Sequence, residues 1–392
     1  MKRRWNQILT ISALSLAAVA CGSDDDDAGG NSGASDETKA AVVSQYASVV
    51  YATYSDALAT AQALHDAIDV FLADPSEANL TAAKTAWKAS RVPYGQSEVF
   101  RFYAGPIDNE ESGPEGQLNA WPMDEFYVDY VEGMADAGII NNAANFPDIT
   151  LDLIKSANEN GAEENISTGY HAIEFLLWGQ DMDPAGPGAR PATDYTAGEG
   201  NNDRRRLYLE LVTDLLISDL EGLKAAWAPD ADNYRASFVS KGADAALTDI
   251  LTGMGSLSGA ELAGERMFVA WEEKDQEDEH SCFSDNTHVD IIENARGIQN
   301  VYLGRYGNVS GPGIKDLVVE VNPELAAKLE TALAASVASA ENIPVPFDQA
   351  ILGDDSADGR VKVKATIDLL RAQTTDIADA ATALGITINL EE

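Results

Sequence analysis

The chain has 392 residues, 45% of them hydrophobic, and a formal net charge of −39. That much apolar material supports a packed core and excludes a disordered chain, and the length allows two or three domains of about 150 residues each. So acidic a protein has no electrostatic route to nucleic acid or to an anionic lipid surface, and its field favours cations.

Residues 1–20 read as a secretory signal, with Lys2, Arg3 and Arg4 ahead of an apolar run from Ile8 to Ala20. Cys21-Gly22-Ser23 follows as in a bacterial lipoprotein processing site, so Cys21 is the expected lipidation point. Segment 21–36, with four consecutive aspartates among Gly, Ser and Asn, is expected to be a solvated tether. Cleavage removes three basic residues and makes the mature protein more acidic still. The expected location is the bacterial cell envelope, facing the periplasm. The outer membrane is favoured because no aspartate directly follows Cys21. No later stretch reaches the roughly 18 apolar residues of a membrane span, so a lipid anchor is the only membrane contact expected. With Cys21 lipidated, Cys282 is left as a lone thiol.

Helical periodicity dominates the rest. Val42, Tyr46, Val49, Val50, Tyr54, Leu58, Ala61, Leu64, Ile68 and Leu72 keep a 3.6-residue rhythm. Asp74-Pro75-Ser76 ends that helix and caps a second, from about Glu77 to Phe102 with a kink at Pro93. An irregular Gly/Pro/acid-rich segment covers 105–118, Trp121-Pro-Met-Asp opens another helix, and Leu151–Ala157 a short one. A helix carrying His171 is followed by a Gly/Pro-rich loop over 181–202. Leu207, Leu211, Leu215, Leu216, Leu220, Leu223 and Trp227 mark the next helix, with others expected at 232–254, 259–274, 286–304, 323–340 and 359–384. The fold class expected is all-α, in two helical-bundle lobes, 37–180 and 203–392, joined by 181–202.

Three constellations could carry chemistry. In Gly169-Tyr-His171-Ala-Ile-Glu174, imidazole and carboxylate leave one helical face a turn apart among apolar neighbours, and a buried pair of that kind needs a reason. On the second helix Trp87, Arg91, Tyr94, Glu98 and Arg101 form one stripe at spacings of 3 and 4, too polar for a plain core and too aromatic for a solvated face. A buried ion pair such as Arg91 with Glu98 is the structural alternative for that stripe. Residues 272–290 then hold Glu277-x-x-His280, Cys282, Asp285 and His288, with Asp285 as the expected N-cap of a helix that carries His288 in its first turn. There is no His-Glu-x-x-His, Gly-x-Ser-x-Gly, Walker loop, dinucleotide fingerprint or Cys-x-x-Cys-His.

Gly169-x-His171-x-x-Glu174 resembles the signature of the imelysin-like family, also called insulin-cleaving metalloproteinase-like. Gly105-Pro-Ile-Asp108, Leu118-Asn-Ala-Trp121-Pro, Leu262-Ala-Gly-Glu265-Arg266-Met267, Phe283-Ser-Asp-Asn-Thr-His288 and Val301-Tyr-Leu-Gly-Arg-Tyr306 resemble the same pattern. The Glu279–His288 stretch is most similar to the iron-regulated protein A subgroup. The resemblance implies an all-helical, two-lobe bundle with its site at the lobe interface, His171 and Glu174 in that site, and a role in iron acquisition at the envelope. One histidine and one glutamate fall short of a catalytic zinc site. Glu98 and His288 are therefore the expected further metal ligands, with Arg91, Tyr94, Arg101, Arg266 and Asp285 positioning them. A carboxylate-rich donor set suits iron, as the ion, a chelate or haem, with an envelope iron transporter as the expected partner. The alternatives are a metal-dependent peptidase with zinc, in which Glu174 activates water, and a non-catalytic scaffold.

If Cys21 is the anchor, Cys21→Ser abolishes incorporation of labelled fatty acid and moves the protein from the membrane to the soluble envelope fraction. Unchanged labelling would contradict the assignment.

Overall fold

The computed structural model describes residues 33–183 and 185–390; the signal and lipidation expectations, on residues 1–20 and Cys21, lie outside them. The architecture is all-α. A 38-residue helix, α1 (Asp36–Ala73), is capped by the Ser35 hydroxyl, which accepts from the Thr38 amide. At about 1.5 Å per residue it runs some 57 Å. It packs against α2 (Glu77–Ser97), which is capped by Ser76 and continues as one 3₁₀ turn over Glu98–Phe100. Pro93 sits inside α2.

Four short helices follow: α3 (Glu115–Leu118), α4 (Glu125–Val128), α5 (Gly138–Asn141) and α6 (Leu151–Ala157). The helix expected at Trp121 thus shrinks to the single turn of α4. Then come the fully buried α7 (Gly169–Trp178), α8 (Asn202–Ala226), α9 (Tyr234–Ser240) and α10 (Ala243–Ser256). From α10 the chain passes without a break into a π-helix over Leu257–Phe268 and then α11 (Val269–Glu273). After α12 (Thr287–Leu303), a two-residue-per-strand hairpin (β1 Arg305–Tyr306, β2 Val309–Ser310) turns the chain into α13 (Ile314–Val321). The chain finishes in α14 (Pro323–Glu341), α15 (Phe347–Ile351) and α16 (Asp358–Ala383).

The contacts of Gly33–Glu392 cluster as one unit. Helix α1 touches α2 but also α8, α9, α10 and α13, so it packs with elements on both sides of segment 181–202. The main core runs through Val50, Tyr54 and Leu64 of α1, Ile173 and Leu176 of α7, and Leu216 and Leu220 of α8. Burial of each such side chain contributes about 1.5–3 kcal/mol. A second cluster joins Leu262 and Met267 of the π-helix to Ile291 of α12, Phe347 of α15 and Val363 of α16. Helices α2 and α12 meet backbone to backbone: a Cβ on Gly297 would stand 2.6 Å from the Gln96 carbonyl oxygen, so only glycine fits there.

Leu215, Leu216, Leu220, Leu223 and Trp227 of the face expected for α8 are buried, but in its first turns the inward face departs from that pattern. Leu207 is 39% exposed, while Arg205, Tyr208, Leu209 and Val212 face inward. The cause is an ion cluster. Asp129 lies fully buried just after α4. It accepts from Arg205 Nε at 2.6 Å, Arg205 NH2 at 2.9 Å, Arg190 NH1 at 2.7 Å and Asn141 Nδ2 at 2.9 Å. Arg190 and Asp194 belong to segment 181–202, which is thereby pinned to α8 and the short helices.

Removing one partner of a buried charge set leaves the others uncompensated, at a cost of about 3–5 kcal/mol. Asp129→Ala should therefore lower the unfolding free energy by about 3–5 kcal/mol. The measure is the urea midpoint at constant slope; a loss under about 1 kcal/mol would show the cluster to be energetically idle.

Candidate metal centre

Gly169 opens α7 at φ +80°, and a Cβ there would lie 2.5 Å from the Leu118 carbonyl oxygen. The motif glycine is thus a backbone requirement: it lets α7 start against α3 and sets His171 and Glu174 at fixed depth. One turn apart, His171 Nδ1 and Glu174 Oε2 share a hydrogen bond of 2.9 Å. The other oxygen, Glu174 Oε1, accepts from the Ser284 amide at 3.0 Å and the Ser284 hydroxyl at 2.7 Å. Both carboxylate oxygens are engaged, so Glu174 braces His171 and fastens α7 to the loop before α12.

That loop brings a second imidazole. The His280 ring lies 4.8 Å from the His171 ring, centroid to centroid, at 76°. His280 Nδ1 is 2.8 Å from Asp290 Oδ2 of α12. Asp290 also accepts from the Ser281 hydroxyl at 2.5 Å and from Arg91 at 3.2 Å (Nε) and 3.1 Å (NH2). Arg91 NH1 reaches Asn119 Oδ1 at 2.6 Å, and the Asn119 amide nitrogen stands 3.5 Å from His280 Nε2. Each imidazole therefore has Nδ1 tied to a carboxylate, the arrangement that orients a metal-binding histidine through its Nε2. His171 Nε2 is buried without a hydrogen-bond partner.

Glu98, at the end of α2, accepts at one oxygen from Arg101 NH1 (2.8 Å) and Arg266 NH2 (2.5 Å); its Oε1 is buried and unpartnered. Arg266 also bonds Asn294 Oδ1 at 2.6 Å and Glu261 at 2.7 Å. Glu261 and Arg266 are five residues apart, and the i→i+5 geometry of a π-helix puts such residues on one face. The π-helix is what delivers both groups to Glu98.

Of the residues the sequence singles out, His171, Glu174, Arg91, Tyr94, Glu98 and Arg266 are buried in this region, with Arg101 at its edge. Arg91 pairs with Asp290 rather than with Glu98, because Arg101 and Arg266 already occupy the latter. The Tyr94 hydroxyl is buried without a partner, and desolvation with the Glu98 charge pushes its pKa up. His288 is in the first turn of α12 as expected, but half-buried beside Lys88, and it makes no ring contact or hydrogen bond with His171, His280 or Glu98. Asp285 is not the N-cap; Asn286 holds that position, and Asp285 precedes it at φ +55°. His280, inside the stretch the sequence flagged but not among its ligand candidates, is the histidine that meets His171. Among the described residues no three His, Cys, Asp or Glu side chains are gathered closely enough to hold a metal ion as they stand. The two imidazoles are the donors that meet; Glu98 carries a free buried oxygen but does not complete a three-donor set with them as they stand.

Burial governs the ionisation. It pushes His171 and His280 down to about 3, with Arg91 adding to the effect at the first and Arg266 at the second. Glu174 is raised by burial to about 8 despite its bond from the Ser284 hydroxyl. For Glu98 burial acts upward, but Arg266 and Arg101 outweigh it and hold the carboxyl at about 2. Near neutral pH the two imidazoles are neutral and Glu98 is ionised. Cys282 is buried and its thiol raised by desolvation, so it is an unreactive core residue. Surface cavities of about 410, 540 and 610 Å³ are lined by other residues, and His171, His280 and Glu98 are at most 2% exposed. The centre is sealed.

Fold and centre together define an all-helical protein built around a buried, carboxylate-braced pair of imidazoles. The chain belongs to the imelysin family, whose pattern matches residues 50–377. It is 29% identical over 312 residues to the iron-regulated protein A of Synechococcus elongatus, covering 76% of this chain and 74% of that one. Two solved structures share the fold. One, from Parabacteroides distasonis, is assigned as an iron-regulated protein A precursor (TM-score 0.68, 21% identity, 90% of this chain and 97% of that one). The other is an imelysin-like protein from Psychrobacter arcticum (TM-score 0.63, 16% identity, 91% and 98%).

Because both imidazoles drop from 6.5 to about 3 on folding, the folded state binds fewer protons than the unfolded state between those values. Their contribution to stability is complete above about pH 6.5 and is lost as pH falls through about 3. Thermal melting across this range should show a falling acid limb, and His280→Asn should make it shallower. An unchanged slope in that variant would contradict the neutral, buried assignment.

Proposed function

We propose that this imelysin-family protein binds iron, as the ion or as an anionic iron complex, and serves iron uptake or handling at the bacterial cell envelope, held there by lipid on Cys21. The observation that carries the reading is the facing imidazole pair: both Nδ1 atoms are tied to carboxylates, and His171 Nε2 is buried with nothing to bond. A buried polar atom left unpaired costs about 1–3 kcal/mol, and a ligand at Nε2 removes that cost. His171, His280 and the free oxygen of Glu98 would contact the iron; Glu174 and Asp290 orient the rings. Imidazole and carboxylate donors together suit iron. So few protein donors suit a complex that brings ligands of its own. Arg91, Arg101 and Arg266, within or at the edge of the centre, offer positive charge to an anionic chelator, although each already holds a carboxylate. The name of the Synechococcus relative points the same way.

A hydrolytic role would need Glu174 free to activate water, yet both of its oxygens are occupied by His171 and Ser284. The geometry therefore favours binding over catalysis. An envelope iron transporter is the partner this function calls for.

Titration of the purified soluble part with ferrous and ferric iron, bare and as citrate, tests the reading. His171→Ala and His280→Ala should each abolish tight binding. Asp290→Asn, which loosens the His280 brace, should weaken it about 10–100-fold. Equal affinity and stoichiometry in wild type and both alanine variants would end the assignment.

A further inference from the structure

A surface cavity of about 410 Å³ is lined by Trp178 and Gly179 at the end of α7, by residues 187–191 and by Tyr130 and Val131; none of the imidazole-centre residues lines it. Arg190 is part of its wall and leaves one edge unused. This side chain is 4% exposed, and its guanidinium lies against the Tyr130 and Phe175 rings, 4.9 and 5.3 Å from their centres. NH1 is taken by Asp129 at 2.7 Å and Asp194 at 3.4 Å, whereas Nε and NH2 are buried with no hydrogen-bond partner. Nε and NH2 share the edge on which two N–H bonds run parallel, the edge that matches both oxygens of a carboxylate. Gly179 brings no side chain over that edge: a Cβ there would stand 3.4 Å from Nε. The Arg190 amide donates to the Trp178 carbonyl at 2.7 Å, so the arginine and the indole are held side by side.

Two further cations stand at the same indole. Lys84 and Lys88, one turn apart on α2, hold their Nζ atoms 5.3 and 5.7 Å from the centre of the Trp178 ring. Neither makes an ion pair with a carboxylate among the described residues. In a chain of net charge −39, cations free of carboxylate partners around one ring make a local positive field that an anion can follow. Glu132 and Asp183, also at the cavity, are exposed, and their charge disfavours an anion that carries more than one charge.

We propose that this cavity is a binding site for a small aromatic monocarboxylate, separate from the imidazole centre and independent of any metal there. The Nε and NH2 edge of Arg190 takes the two carboxylate oxygens. The aromatic body lies against Trp178 and Val131, and Lys84 and Lys88 draw the anion in from the α2 side. The planar fork sets the selectivity: it fits a carboxylate better than a compact anion with no apolar body to fill the cavity.

Calorimetric titration of the metal-free soluble part with benzoate, benzamide and inorganic phosphate tests this. Benzoate should bind at one site per chain. Benzamide, its neutral counterpart, should bind at least about tenfold more weakly, because the charge-assisted hydrogen bonds are lost. Phosphate should give no saturable heat. Ala189 is exposed on the cavity wall, so Ala189→Trp fills the space without disturbing the core and should abolish benzoate binding at an unchanged melting temperature. Lys84→Gln with Lys88→Gln should weaken binding several-fold and flatten its dependence on salt. Absence of benzoate binding, equal affinity for benzamide, or full affinity in the lysine double variant overturns the proposal. So does undiminished binding in Ala189→Trp, the result expected if benzoate is held by the arginines of the imidazole centre instead.

Discussion

Asp290 reaches inward from α12 and accepts hydrogen bonds from Arg91 of α2 and from His280 and Ser281 of the preceding loop. Burial alone would raise its carboxyl; the Arg91 guanidinium and His280 outweigh that and hold it well below the ordinary range. Its charge is therefore permanent, and the geometry around it is fixed by three donors from two elements, α2 and the loop before α12. Without Asp290 the His280 ring has no fixed Nδ1 partner, Arg91 is a buried unpaired cation, and the loop that presents Ser284 to Glu174 loses its anchor. The imidazole pair exists because this one carboxylate is buried.

The same device recurs elsewhere. Asp129 joins Arg190 and Arg205, and Glu98 joins Arg101, Arg266 and, through the arginines, Glu261. Buried ion sets of this kind add little net stability compared with apolar packing, but they penalise every arrangement in which a partner is missing. Here they fix where chain-distant elements meet: the 181–202 segment on α8, and the π-helix on the end of α2. Such specificity suits a centre whose donors come from α2, α7 and the loop before α12, and which is closed to solvent. Loading it requires those elements to part, and the loop that carries His280 and Ser284 is the wall with the least regular structure.

The long helices were legible because apolar residues recur at 3.6-residue spacing. Helices α1, α2, α12, α14 and α16 fall within a few residues of where the pattern puts them. The eight-residue α13 and five-residue α15 are too short for a period to stand out. The helix expected at 259–274 is present, but the pattern does not tell that Leu257–Phe268 is π-helical, so the Glu261–Arg266 contact could not be anticipated. On α8 the leucine pattern marks the buried face from Leu215 to Trp227 but misplaces Leu207 in the first turns, where a long-range partner, Asp129, turns Arg205 inward. His171, Glu174, Arg91 and Glu98 stood out as polar residues on apolar helical faces. His280 stood out only through its Glu277-x-x-His280 spacing and not as a ligand, since it is in a loop, where no periodicity distinguishes an inward side chain from an outward one; its carboxylate partner is Asp290, ten residues on.

The central claim is that two histidines far apart in the chain present their Nε2 atoms to one iron. X-ray absorption at the iron edge of the loaded protein reads this directly, because imidazole rings give a multiple-scattering signature that carboxylates and water lack. The account predicts two imidazole nitrogens at about 2.0–2.2 Å, falling to one in His280→Ala. A shell of oxygen alone, or a spectrum indifferent to that substitution, would contradict it.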